Sequence, residues 1–259
     1  MTQRLVAALS GGVDSAVATA RALEEGYEVL AVYLRLSMSA RDEAGEARGI
    51  AEQLGVPFEV WDLSGMFDEA VGRYFLGEYA RGRTPNPCPR CNERIKFGAL
   101  LERAIDRGFS GVVTGHYARL VWSGEEVELH RGSDPAKDQS YVLARLDQAQ
   151  LRRCVFPLGD ATKGEVRAEA WERELLIADK ADSTDICFIP DGDTAGYLRA
   201  ALGERVGDIC DEAGAALGQH RGAFTYTIGQ RQGLRITTVS PDGGPRYVLR
   251  TEPETNTVV

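Results

Sequence analysis

The sequence predicts an α/β fold: a doubly wound parallel sheet, followed by a small helical segment and a short β-rich domain. Three observations carry this. Apolar runs of strand length alternate with helical patterns through the first half. The first run empties into a glycine turn at a helix start. Beyond Val206 the pattern breaks into short strands separated by turns.

Leu5 to Leu9 reads as the first strand, Asp14 to Glu25 as a helix, Val29 to Leu34 as the second strand, Glu43 to Leu54 as a helix and Phe58 to Trp61 as a short strand. Helical patterns follow from Phe67 to Tyr79 and from Asn92 to Asp106, and Gly111 to Thr114 forms the next buried strand. From Gln148 to Leu202 the pattern is mostly helical. Turns such as Asp211-Glu212-Ala213-Gly214 and Pro241-Asp242-Gly243-Gly244 punctuate the rest. The expected division is a nucleotide-binding catalytic domain over 1–147, a mostly helical segment carrying Cys187 over 148–205, and a small β-rich domain over 206–259. Trp61 and Trp171 are expected in the core, with Cys154 and Cys210 as small buried hydrophobes.

At 259 residues and 43% hydrophobic content the chain supports one sizeable domain and a smaller one. No apolar run approaches membrane-span length, and Met1-Thr2-Gln3-Arg4 enters the first strand without a signal peptide, so no membrane partner and a cytoplasmic location are expected. Five cysteines in that compartment read as reduced, metal-binding or catalytic thiols rather than a disulfide framework. The net charge of −9 argues against indiscriminate nucleic-acid binding. Two stretches depart from it: Arg81 to Lys96 has five basic residues against one acid, and Gln219 to Ile236 holds Arg221, Arg231 and Arg235 with no acid. Either is a solvated face or a local anion-binding patch.

The most informative segment is Ser10-Gly11-Gly12-Val13-Asp14-Ser15, directly after the apolar Leu5-Val6-Ala7-Ala8-Leu9. Two glycines let backbone N–H groups converge on an oxyanion, the serine hydroxyls add donors, and the following helix points its positive end at the same place. A Walker A loop is longer and carries a lysine, which is missing here. The plainer reading is a Ser/Gly turn capping a helix, but its position at the carboxyl end of the first strand is where open α/β sheets bind ligands. The loop resembles the PP-loop of enzymes that split ATP into AMP and pyrophosphate, an adenine nucleotide alpha hydrolase-like fold.

The second segment is Arg83-Thr84-Pro85-Asn86-Pro87-Cys88-Pro89-Arg90-Cys91-Asn92-Glu93-Arg94. Three prolines stiffen an extended loop, and Asn92 is expected to cap the helix that begins there. A thiol at a helix start among arginines favours its thiolate, which makes Cys91 the leading nucleophile. A structural zinc site would want a second cysteine pair, and a thioredoxin-like redox pair a different βαβ context.

Five further segments resemble, in order, the signatures of the tRNA-specific 2-thiouridylase family: Thr84-Pro85-Asn86-Pro87 with Cys91-Asn92, Thr114-Gly115-His116-Tyr117-Ala118-Arg119, Lys137-Asp138-Gln139-Ser140-Tyr141, Asp185-Ile186-Cys187-Phe188-Ile189 and Tyr226-Thr227-Ile228-Gly229-Gln230-Arg231. The resemblance implies that ATP, with Mg2+, adenylates the C2 carbonyl oxygen of a tRNA wobble uridine. Sulfur then replaces that oxygen, giving 2-thiouridine, AMP and pyrophosphate. It further implies a persulfide on Cys187, a sulfur-donor protein or sulfide as partner, Cys91 as the nucleophile completing transfer and Asp14 as a third catalytic residue. ATP contacts are implied at Ala8, Leu9, Ser10, Gly11, Gly12, Val13, Asp14, Ser15, Leu34 and Gly115. Contacts to tRNA or its target base are implied at Asn86, Pro87, Cys88, His116, Lys137, Asp138 and Gln139. For His116 the plainer reading is a hydrogen-bonded histidine at a strand end, and for Lys137-Asp138-Gln139 a helix start.

Three departures accompany the resemblance. Cys88 stands where some family members carry aspartate, so an acid or base role does not transfer. Cys88, Cys91 and Cys187 together suit a 4Fe-4S cluster with one open iron, against a cluster-free persulfide route that needs two thiols. The segment Arg35-Leu36-Ser37-Met38-Ser39 is shorter than the family's usual loop, and the family's C-terminal β-barrel is expected to be absent after Val259. The competing readings are a PP-loop ligase that amidates a small molecule, which would need neither Cys91 nor Cys187, and a tRNA-binding module that releases no pyrophosphate.

Overall fold

A computed structural model describes residues 3–36, 43–182, 186–189, 192–238 and 243–259. The expectations on the loop over 37–39, on Asp185 and on the turn at 241–242 lie outside the described residues. The chain divides into two compact units, one of residues 1–71 and 87–184, the other of 72–86 and 185–259.

The first unit is built on five parallel strands: β1 (Arg4–Ala8), β2 (Glu28–Arg35), β3 (Phe58–Asp62), β4 (Gly111–Val113) and β7 (Cys154–Val155). They lie in the order β3-β2-β1-β4-β7. β1 pairs with β2 from Arg4↔Glu28 to Ala8↔Val32 and with β4 from Leu5↔Gly111 to Ala7↔Val113. Val6, Ala31, Val32 and Val112 are fully buried, as strands covered on both faces require. The order reverses between β1 and β4, and the carboxyl ends of those two strands open the crevice where such sheets bind ligands. The segment 148–202 is not all helix, because Cys154 and Val155 extend the sheet beside β4.

Helices α1 (Val13–Glu24) and α2 (Glu43–Gln53) connect the first strands. α1 buries Val13, Ala16, Val17, Ala18, Ala20 and Ala22, small residues that let it lie close to the sheet. Ser64–Phe67 (α3) and Arg73–Ala80 (α4) are separated by the π-helical Asp68–Gly72. Cys88–Cys91, the π-helical Asn92–Ala99 and Leu100–Asp106 run on as one helix, α5. Its wide central turn has a visible cause and support: a Cβ on Gly98 would sit 2.9 Å from the Glu93 carbonyl oxygen, and Gln150 Nε2 donates to the Glu93 and Phe97 carbonyls at 3.2 and 2.8 Å. The helix begins at Cys88, not at Asn92. Pro87 is its N-cap, with Pro89 in the first turn where a missing N–H costs nothing, and Asn92 is an interior residue only 3% exposed.

A hairpin absent from the sequence expectation, β5 (Ala118–Ser123) with β6 (Glu126–Arg131), turns at Gly124, whose φ of 65° suits glycine. α6 (Gln148–Leu151) and α7 (Lys163–Glu172) both start on capping boxes, from Asp147 and Thr162. Trp61 is buried as expected, whereas Trp171 is 53% exposed on α7 and takes no part in the core.

The second unit holds α4, α8 (Thr194–Leu202) and a four-stranded sheet of β8 (Gly207–Cys210), β9 (Ala216–His220), β10 (Thr251–Glu252) and β11 (Thr257–Val258), ordered β10-β11-β8-β9. Ile209, Ala223, Leu234, Val248 and Val258 form its sheet-side core. Phe75, Tyr79, Ile189 and Leu198 form a second cluster with the partly buried Ile186 and Phe188, which tethers the chain on both sides of Cys187.

Candidate active site

The loop after β1 folds back on itself. Ser10 N donates to Ser15 Oγ at 3.2 Å, the two serine hydroxyls lie 3.1 Å apart, and Ser15 Oγ donates to the Gly12 carbonyl at 3.0 Å. Gly11 takes φ 80°, a left-handed conformation. Gly12 is the N-cap of α1 and has no side chain to satisfy the first amides, which leaves them for an anion. Gly115, after β4, closes against this helix start, where a Cβ would come 2.7 Å from the Asp14 carbonyl carbon. Of the remaining ATP candidates, Leu9, Val13 and Ser15 are buried, Ala8 and Leu34 are half-buried, and Ser10 is exposed.

Asp14 Oδ1 accepts from Lys163 Nζ at 2.7 Å and from the Tyr117 hydroxyl at 2.8 Å. Lys163 Nζ also contacts Asp182 Oδ1 at 2.8 Å, and Asp182 is further paired with Lys137 at 2.7 Å and Arg167 at 2.8 Å. Lys180 Nζ donates to the Gly11 carbonyl at 3.1 Å. Lys163 thus bridges Asp14 and Asp182, Lys137 pairs with Asp182, and Lys180, which pairs with Glu46, braces the loop at Gly11. Burial works against the charge on Asp182, but the hydrogen bonds from Lys137 and Lys163 win and lower it from 3.8 to about 2. Burial pushes the Tyr117 hydroxyl up, and Asp14 pushes it further, so it stays a donor.

A carboxyl whose folded pKa lies below its unfolded value stabilises above the unfolded value, and that contribution is lost as pH falls through the folded one. Wild type is therefore expected to lose stability between about pH 4 and pH 2. Asp182→Asn, which is less stable at neutral pH, should close most of the gap over that window. Denaturant midpoints measured at both ends check this, and a gap that stays constant with pH would contradict it.

His116 is 7% exposed, 2.7 Å from Thr114 Oγ1 through Nδ1 and between the rings of Phe97 and Phe156. Burial, then the charge of Lys96, holds its pKa well below the ordinary value, so it is a neutral imidazole. Lys137, Asp138 and Gln139 are engaged within the unit. Asp138 accepts the Gly132 and Ser140 amides at 2.9 and 3.1 Å, and Gln139 Oε1 accepts the Tyr117 amide at 3.1 Å. In the Pro-rich segment Asn86 is exposed, Pro87 is buried and Cys88 is half-buried. Cys91, 7% exposed, lies one turn into α5 with its amide bonded to the Pro87 carbonyl at 2.9 Å. Cys187 is exposed in the second unit. Cys154 is buried, with a thiol raised by burial, and Cys210 is half-buried.

Two family models match: a tRNA methyl transferase HUP domain over residues 3–191 and a tRNA methyl transferase PRC-barrel domain over 195–259. The tRNA-specific 2-thiouridylase MnmA of Acidothermus cellulolyticus is 56% identical over 99% of this chain and 74% of its own. The chain belongs to the tRNA-specific 2-thiouridylase family. The protein of the same name from Nocardioides is 55% identical over 98% of this chain and 75% of its own, and that of Streptomyces coelicolor 55% over 98% and 72%. Among the described residues no helix is long and apolar enough to cross a membrane.

Sequence reasoning missed Lys163, Lys180, Asp182 and Tyr117. The capping box Thr162-Lys163-Gly164-Glu165 was the available signal for Lys163. It fixes Lys163 as the first residue of α7, and the Arg21–Glu169 pair, with Arg21 Nε to Glu169 Oε2 at 2.9 Å, ties that helix to α1.

Proposed function

We propose that this protein uses ATP to thiolate C2 of a tRNA wobble uridine, with the site residues in the following roles. The amides at the α1 start and the hydroxyls of Ser10 and Ser15 hold the departing pyrophosphate, and Asp14, within the loop, is the carboxylate that would hold a Mg2+ arriving with ATP. Adenylation converts the C2 oxygen, a very poor leaving group, into one that departs as AMP. The outer sulfur of a Cys187 persulfide attacks C2 and expels AMP, and the Cys91 thiolate then attacks the inner Cys187 sulfur, releasing 2-thiouridine and leaving a Cys91–Cys187 disulfide that a thiol reductant reopens. A sulfur-donor protein that already carries a persulfide charges Cys187 by handing over its outer sulfur and keeping its own thiolate, whereas free sulfide, already fully reduced, attacks the adenylated C2 itself and expels AMP.

The observation that carries this reading is a self-braced pyrophosphate cradle in a chain whose relatives at 55–56% identity are thiouridylases. The matching family descriptions speak of methyl transfer. That reaction uses an activated methyl donor and needs neither a pyrophosphate cradle nor a thiol. A 4Fe-4S cluster would need a third thiolate beside Cys88 and Cys91. Among the described residues no group of three or more Cys, His, Asp or Glu side chains is placed to hold a metal.

The test is pyrophosphate release from ATP with and without unthiolated tRNA, followed by nucleoside analysis with sulfide supplied. Release that depends on tRNA and yields 2-thiouridine is expected. Release that ignores tRNA and consumes ammonia with a small acid would move the assignment to an amidating ligase.

A further inference from the structure

The motif Tyr226-Thr227-Ile228-Gly229-Gln230-Arg231 and the acid-free stretch around it have no part in the chemistry above, yet they frame a cavity of about 620 Å3 within the second unit. Its walls carry Arg199, Arg221, Arg235, Gln219, Tyr226 and Gln230, and the lining carboxylate is Glu204, 3.7 Å from Arg199 Nε and 3.5 Å from Arg221 Nη1. Arg199 and Arg235 line the same cavity as Tyr226. Among the described residues Arg235 has no carboxylate at ion-pair distance.

The loop bearing Arg235 is preorganised. Gln230 Oε1 accepts the Thr227 amide at 3.0 Å, its Nε2 donates to the Gln232 carbonyl at 2.9 Å, and the Gly229 and Val248 amides bond across to Val248 and Gln230 at 2.7 and 2.9 Å. Leu234 anchors it in the core. Arg235 itself sits at φ 51°, a left-handed conformation that costs a bulky side chain about 1 kcal/mol or more and that the fold nonetheless holds.

We infer that this cavity is a phosphodiester-binding subsite for RNA, in which Arg199, Arg221 and Arg235 take backbone phosphate oxygens while Tyr226 and Gln230 supply neutral donors. In a chain of net charge −9, a rigid cationic pocket is what holds a polyanion locally without attracting it everywhere. The inference rests on the proposed tRNA substrate.

The test uses the full chain and Arg235→Gly, which removes the guanidinium while relaxing the backbone, so weakened binding cannot be put down to strain or misfolding. Arg235→Lys restores the charge. The affinity for unthiolated tRNA, titrated at several salt concentrations, is expected to fall roughly 5–10-fold in Arg235→Gly, with the salt slope reduced by about 1 and a partial return in Arg235→Lys. Unchanged affinity and slope while wild type binds and thiolates tRNA would overturn the subsite and leave the function standing. Failure of wild type to bind tRNA would instead sink the function. Intact tRNA affinity with lost thiolation only when a protein sulfur donor replaces sulfide would overturn the RNA assignment in favour of an acidic protein partner.

Discussion

Cys91→Ala is expected to abolish 2-thiouridine formation, by on the order of 10³-fold or more, the scale on which loss of a catalytic nucleophile is felt. Pyrophosphate release should persist. The residue lies in the first turn of α5, 7% exposed, where alanine keeps helical propensity and sacrifices only a small side chain, so the fold is barely disturbed. The ATP loop belongs to β1 and α1, which the substitution does not touch. Nucleoside analysis beside a pyrophosphate assay separates the two steps. Loss of both together would mean that Cys91 supports the structure, and retention of both would remove it from the mechanism.

Gly115→Ala should have the largest effect on nucleotide binding. Its Cβ would come within 2.7 Å of the Asp14 carbonyl carbon, 2.8 Å of that oxygen and 2.9 Å of the Ser15 amide nitrogen. These are backbone atoms of the first turn of α1 and cannot rotate aside. Overpacking of this kind costs about 1–3 kcal/mol, and the cradle must shift to relieve it. A shift of about 1 Å in a catalytic group costs on the order of 10²-fold, and ATP affinity is expected to fall on that scale. Gly12→Ala is the contrast for stability, since a Cβ there meets only Ser10 Oγ, at an ordinary 3.6 Å. ATP titration and thermal melts of both variants decide the matter. Unchanged ATP affinity in Gly115→Ala would place the nucleotide elsewhere.

β1, β2 and β4 were legible in the sequence because they are buried on both faces and read as apolar runs, and the edge strand β3 through its aromatic and β-branched residues; all four agree with the expected limits to within about one residue at each end. The start of α5 was misplaced because asparagine was taken as the cap, when the prolines ahead of it already fix a helix entry. β7 was lost inside a helical stretch because two residues carry no period. The Lys163 bridge between Asp14 and Asp182 escaped for a different reason. Lys163 lies 149 residues from Asp14 and reaches it only because α7 packs against α1, a long-range fact with no local trace. Trp171 misled through size alone, since a large ring on α7 need not face the core.

The central claim is that ATP activates the uridine oxygen itself. It is tested most directly with tRNA whose target uridine carries 18O at C2, incubated with ATP and sulfide. The account predicts one 18O in the phosphate of the AMP released for each 2-thiouridine formed. Appearance of the label in water, or retention in the nucleoside, would contradict adenylation of the C2 oxygen.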